Sequence, residues 1–184
     1  MPGTFLSKRC LAPFSGYRLL LTILLVGAIG AAGEGRLAAQ TRPADGFQAG
    51  ITWLYYRDLA GAMSFYEEVL GLQLTVDQGW AKVYQVSATT FIGLVDESLG
   101  MHRASDTKPV AVAFVTPDVD GWFAWLKARG VRICSELRDS SRLPIRGFTA
   151  FDPEGYTLEF ETFKDDPQNR RIRTLLARPP GARR

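Results

Sequence analysis

Phe151-Asp152-Pro153-Glu154-Gly155-Tyr156-Thr157-Leu158-Glu159-Phe160 reads as a tight turn running into a strand. Proline pre-sets φ at the second turn position, and glycine supplies the unusual backbone at the fourth. Beyond the turn, Tyr156, Leu158 and Phe160 alternate with Thr157, Glu159 and Glu161, which makes a strand with two unlike faces. A carboxylate on the enclosed face of such a strand could bind a metal or act as a base. The plainer alternative is that Glu159 and Glu161 face water, because glutamate is seldom buried unpaired.

Working backwards from this strand, the same order of elements occurs twice. Residues 49–57 are rich in β-branched and aromatic side chains, and Asp58 is placed to cap a helix. Leu59, Ala62, Met63, Tyr66, Val69 and Leu70 follow at helical spacing, with Gly71 as a stop. Strand-like runs come next at 72–76, 82–86 and 89–95. The second half begins with a strand at 110–116 and the cap Asp118. Val119, Trp122, Phe123 and Leu126 then repeat the first helix sixty positions on, and Gly61 and Gly71 recur as Gly121 and Gly130. Strands are predicted at 131–136, 145–151 and 156–163. The fold class expected is therefore α+β: two tandem β-α-β-β-β modules forming a cupped, mostly antiparallel sheet around a cavity. The modules span residues 49–97 and 109–164, with 98–108 as a polar connecting loop. One helix per module leaves much sheet uncovered, which the two halves can remedy together. Pairing with a second chain as a homodimer is another remedy.

Residues 1–40 do not belong to these modules. Lys8, Arg9 and Arg18 precede an apolar run from Leu19 to Ile29, and Gly30, Ala31, Ala32 and Gly33 follow. A basic segment, an apolar segment and a small-residue exit describe an export signal. The run is a poor spanning helix, since roughly twenty apolar residues are needed, and an uncleaved N-terminal membrane anchor is the alternative. Residues 41–48 complete a linker. The formal net charge of +3 is carried by residues before Gln40. At the other end, residues 165–184 form a basic tail in which Gln168 to Arg184 hold six arginines and no acid. The body between is acidic, so a pI of about 9.0 gives no ground for a nucleic-acid partner. Cys134 is the one cysteine outside the signal, so no internal disulfide is expected. Export without a disulfide points to a bacterial periplasmic or extracellular location. In the tail, Asp166 and Pro167 open a helix with Ile172, Leu175 and Leu176 as its apolar stripe, stopped by Pro179. Such a helix would dock on its own domain or a dimer mate, or lie on a membrane surface.

The two modules resemble the vicinal oxygen chelate superfamily, the group of glyoxalases, bleomycin-resistance proteins and extradiol dioxygenases. The helix opening Asp58-Leu59-Ala60-Gly61-Ala62-Met63-Ser64-Phe65-Tyr66 with Val69-Leu70-Gly71, and the closing Asp152-Pro153-Glu154-Gly155-Tyr156-Thr157-Leu158-Glu159, carry the likeness over residues 49–163. The resemblance implies the fold; function varies within it, from isomerases, dioxygenases and thiol transferases to pure binders. It also implies four strand positions that supply His, Glu or Gln to a divalent ion in metal-using members. Here they are Ile51, about Gly93, about Ala111, and Glu159. Only Glu159 can ligate. His102, the single histidine, falls in the connecting loop and is expected at the surface. No metal site and no cofactor are therefore expected.

Those replacements leave an apolar set. Alternation from Ile51 adds Trp53 and Tyr55; Phe91 and Val95 accompany Gly93, and Ala113 and Val115 accompany Ala111. If the set encloses a cavity rather than filling the interior, it suits a small, partly apolar ligand with a cationic or hydroxyl group for Glu159. Trp80 and Arg146 are expected at its rim, unless Arg146 neutralises Glu159. The leading expectation is a metal-free small-molecule binder. Whether the chain is an enzyme is left open by its residues: a lyase, isomerase or dioxygenase-like enzyme with a divalent metal is one alternative, and catalysis by Glu159 as a general base without metal is another. A third is an interaction module that works through the basic tail.

Overall fold

A computed structural model describes residues 46–177. The export signal, Cys10 and Pro179 lie outside the described residues. The element order is β1 (Gly50–Tyr56), α1 (Leu59–Ser64) continued by a π-helical turn (Phe65–Val69), β2 (Gln73–Asp77), β3 (Ala81–Ser87), β4 (Thr90–Asp96), β5 (Ala111–Val115), α2 (Val119–Ala128), β6 (Ile133–Asp139), β7 (Ile145–Phe151), β8 (Thr157–Phe163), a 3-10 turn (Pro167–Asn169) and α3 (Arg170–Leu176). The two β-α-β-β-β modules expected from the repeat are present. Each is a four-stranded mixed sheet, ordered β1-β4-β3-β2 and β5-β8-β7-β6. In each, the outer first strand runs parallel to the fourth, and the remaining pairs are antiparallel. Among the described residues no helix is long and apolar enough to cross a membrane.

The repeated Asp-x-x-Gly has a local cause. Asp58 accepts a hydrogen bond from the Gly61 amide at 2.9 Å, and Asp118 accepts one from the Gly121 amide at 2.9 Å. A Cβ on either glycine would fall inside the capping carboxylate, so the cap excludes any side chain there. The first helix departs from its expected form. Even helical spacing predicts one α-helix through Leu70, but from Phe65 the turn widens, and the Leu70 amide reaches back to the Phe65 carbonyl at 3.1 Å. The wider turn brings neighbouring Phe65 and Tyr66 both into the core. It also presents the Val69 carbonyl to the Trp125 indole N–H at 2.8 Å, which joins the first helix to α2.

Each helix covers one face of its sheet. Leu54, Tyr56, Tyr84, Ile92 and Leu94 are buried in the first module, and Val119, Leu126, Phe148, Leu158 and Phe160 in the second, all in one continuous cluster. Phe148 stacks on Phe160 with ring centroids 4.9 Å apart. Burying each such side chain contributes about 1.5–3 kcal/mol before entropy is counted.

The turn from Asp152 to Gly155 also holds the modules together. Gly155 has φ of 90°, which explains the glycine. Asp152 Oδ1 accepts from the amides of Glu154 at 3.1 Å and Tyr156 at 2.8 Å, and so fixes the turn. Its Oδ2 accepts from the buried Tyr56 hydroxyl at 2.6 Å. Glu154 Oε1 accepts from the amides of Arg57 at 2.5 Å and Asp58 at 2.8 Å. The Tyr156 hydroxyl bonds both backbone groups of Tyr55. Lys108, from the connecting loop, places its ammonium 4.3 Å from the Tyr156 ring centroid and 3.6 Å from Glu154. The end of β1 is thus clasped by the start of β8.

Candidate functional site

Strand register assembles the predicted positions. Ile51 lies opposite Phe91, Trp53 opposite Gly93, and Tyr55 opposite Val95. In the second sheet, Ala111 lies opposite Thr157, Ala113 opposite Glu159, and Val115 opposite Glu161. Period-two alternation puts each set on the face turned away from its helix. Ile51, Trp53, Tyr55, Phe91 and Gly93 therefore share one face, while Ala111, Ala113 and Glu159 share the other. Both faces are open in the single chain. Ile51 is 44 % exposed, Trp53 42 % and Val115 41 %, against 1 % for Leu54 on the helix side. The two modules meet where Tyr156, one residue before Thr157, bonds the backbone of Tyr55.

The first face is aromatic and closely built. A Cβ on Gly93 would fall inside the Trp53 indole, so the ring lies directly on the Gly93 backbone. One end is covered by the connecting loop. Gly100 packs against Val95 and Tyr55, and the exposed His102 ring meets Tyr55 edge-on at 5.2 Å. Trp80, expected at the rim, is 42 % exposed in the turn before β3.

The second face is polar. Glu159 and Glu161 stand two residues apart on β8, and among the described residues neither side chain is hydrogen-bonded or ion-paired. Burial, and then repulsion by Glu159, pushes the Glu161 carboxyl above its usual range. Ser135 Oγ and Thr149 Oγ1 are bonded at 2.8 Å across β6 and β7. With Arg138, Arg142 and Glu159 they line a cavity of about 610 Å³.

Arg146 needs correction. Expected at the rim unless it neutralised Glu159, it does neither: it turns to the helix side of β7, where it grips Asp120 of α2 through Nε at 3.0 Å and Nη2 at 2.7 Å. Register is the reason. Gly147 and Thr149 lie opposite Glu161 and Glu159, so Arg146, opposite Thr162, points the other way. Glu161 shares the face of Glu159, as the alternation along β8 dictates; Thr149, Ser135 and Arg138 also share it and were not singled out in the sequence. Alternation alone identifies Glu161; the other three depend on register and on the bulges of β6.

The divalent ion of the metal-using pattern does not fit this donor set. Ile51, Gly93 and Ala111 have no ligating atom in their side chains, and the space above Gly93 holds the Trp53 ring. Among the described residues, no three His, Cys, Asp or Glu side chains converge.

The family model for the Glyoxalase/Bleomycin resistance protein/Dioxygenase superfamily matches residues 48–160. The chain belongs to this superfamily. Solved structures repeat its fold at low identity. TioX from Micromonospora sp. ML1 is 20 % identical with a TM-score of 0.53, over 62 % of this chain and 97 % of its own. Lactoylglutathione lyase from Agrobacterium tumefaciens is 19 % identical with a TM-score of 0.52, over 66 % and 96 %. A glyoxalase/bleomycin resistance protein/dioxygenase from Nocardioides is 20 % identical with a TM-score of 0.53, over 80 % and 93 %. No curated protein sequence matches the chain.

Proposed function

We propose that this superfamily member is an exported, metal-free binder of a small, flat, partly apolar molecule. The observation that carries the reading is the Trp53 indole lying on Gly93: where a metal-using relative needs a ligand on β4, this chain presents a broad aromatic surface, still 42 % exposed. Ile51, Tyr55 and Phe91 extend that surface. An exposed aromatic face of this kind gains free energy by taking a flat apolar partner out of water. Glu159 and Glu161, whose side chains have no partner among the described residues, would meet a cationic or hydroxyl group on the ligand. A carboxylate beside an aromatic plane favours a cation twice over, by charge and by the ring quadrupole. Pairing with a second copy of the chain would close the open faces over the ligand. Export is supported by the order of basic, apolar and small residues before Gly33.

Fluorescence titration tests the reading. Acriflavine, a flat aromatic cation, is expected to bind saturably and to lose at least tenfold in affinity, a cost of about 1.4 kcal/mol, in Trp53→Ala and in Glu159→Gln. The flat anion 1-anilinonaphthalene-8-sulfonate should bind more weakly. Equal affinity for both probes in both variants, or stoichiometric zinc, nickel or manganese retained after dialysis and lost in Glu159→Ala, would overturn it.

A further inference from the structure

We infer that the C-terminal helix α3 is a peripheral foot that binds anionic phospholipid surfaces, independently of the ligand site. Its root is fixed on the domain. The Asp166 side chain accepts from the Gln168 amide at 2.8 Å and starts the turn. Asn169, only 6 % exposed, donates through Nδ2 to the carbonyls of Pro144 at 2.7 Å and Lys164 at 2.9 Å. Ile172 is half-buried, and Arg173 pairs with Asp165.

Past that root the helix leaves the domain. Leu175 is 46 % exposed and Leu176 53 %. Leu176 continues the line of Ile172 one turn on, where no core remains to receive it, and Leu175 lies one turn beyond exposed Arg171. Arg170 and Arg171 have no acidic partner among the described residues. In the sequence, Arg178, Arg183 and Arg184 follow, and no acid occurs after Asp166.

Two bare leucines beside Arg170 and Arg171, which lack an acidic partner among the described residues, on a helix that carries no acid of its own, match the chemistry of an anionic bilayer surface. The leucines enter the acyl boundary and the guanidinium groups meet phosphates. An acidic protein would satisfy the charge but leaves the leucines without a stated role, so the lipid surface is the occupant the two features share. The export signal read from the apolar run before Ala31 would bring the chain to a membrane.

A local reporter tests this in the full chain and is insensitive to any anchoring by the N-terminal segment. Cys10→Ser and Cys134→Ser free the chain of thiols, and Ala177→Cys takes an environment-sensitive NBD label. Mixed phosphatidylglycerol–phosphatidylcholine vesicles should blue-shift the label, and pure phosphatidylcholine vesicles should not. Removing two charges by Arg170→Ser with Arg171→Ser should lower partitioning roughly 25-fold, at about fivefold per arginine. Leu175→Ser with Leu176→Ser should abolish the shift without altering the melting temperature. No shift on the mixed vesicles, an equal shift on neutral vesicles, or an equal shift with soluble polyglutamate would overturn the proposal, the last in favour of an acidic protein partner.

Discussion

The hydroxyl of Tyr156 sits between the two backbone polar groups of Tyr55, accepting from its amide at 2.9 Å and donating to its carbonyl at 3.1 Å. These residues are 101 positions apart and belong to different modules. One phenol thus ties the end of β1 to the second module.

Tyr156→Phe should therefore cost about 2 kcal/mol, because it leaves a partly buried N–H and C=O unpaired while keeping the ring. Urea unfolding checks the figure. Loss of cooperativity, with two transitions in place of one, would show that this hydroxyl couples the modules as well as stabilising them.

Asp152 is the other half of the clasp. Asp152→Ala should cost about 3 kcal/mol or more, since the Tyr56 hydroxyl and two turn amides lose their acceptor together. Tyr56 and Tyr66 are both held far above the usual phenol range, by burial first and then by the neighbouring charge and hydroxyl groups, so neither hydroxyl can ionise to compensate. A variant that unfolds at the wild-type urea concentration would refute the role given to this carboxylate.

The pH dependence of stability isolates Glu161. Its folded pKa is raised, first by burial and then by Glu159, so folding favours the protonated form. The stability it contributes is present below its ordinary value of 4.5 and is lost as pH rises through the folded value. Glu161→Gln should accordingly be more stable than the wild type at neutral pH, by under about 1 kcal/mol because solvent screens a partly exposed group. The advantage should vanish in acid. Thermal melts of both proteins across the pH range read this directly, and a variant less stable at neutral pH would reverse the assignment.

Gly93→Ala probes the aromatic face. The new methyl enters the space of the Trp53 ring, which must lift, at a cost of about 1–3 kcal/mol. The same substitution in a Trp53→Ala background should cost much less, and the difference is the coupling between the two positions. Equal costs in both backgrounds would show that the indole does not rest on Gly93.

These predictions mark where the sequence was legible. Asp58 with Gly61, and Asp118 with Gly121, announced both helix starts, because a cap and its tolerance for a side chain are decided within four residues. The faces of β1 and β8 followed from alternation, which needs only period two. Three things were hidden for one reason, namely that each depends on a partner far away in the chain. The π-helical turn at Phe65–Val69 goes with a Trp125 contact 56 residues on. Arg146 turned to Asp120 because of a strand register that no local pattern records. The turn at Asp152 has only the local pattern of a tight turn in sequence, yet its polar groups reach across to β1. On the open face Glu159 has Glu161 two residues along and Thr149 opposite, while Arg146 lies on the other face.

Native mass spectrometry of the protein taken directly from its producing cells tests the central claim most directly. The account predicts a small organic adduct, free of metal, that is absent from Trp53→Ala. A divalent metal adduct that disappears in Glu159→Ala, with no organic mass, would contradict it.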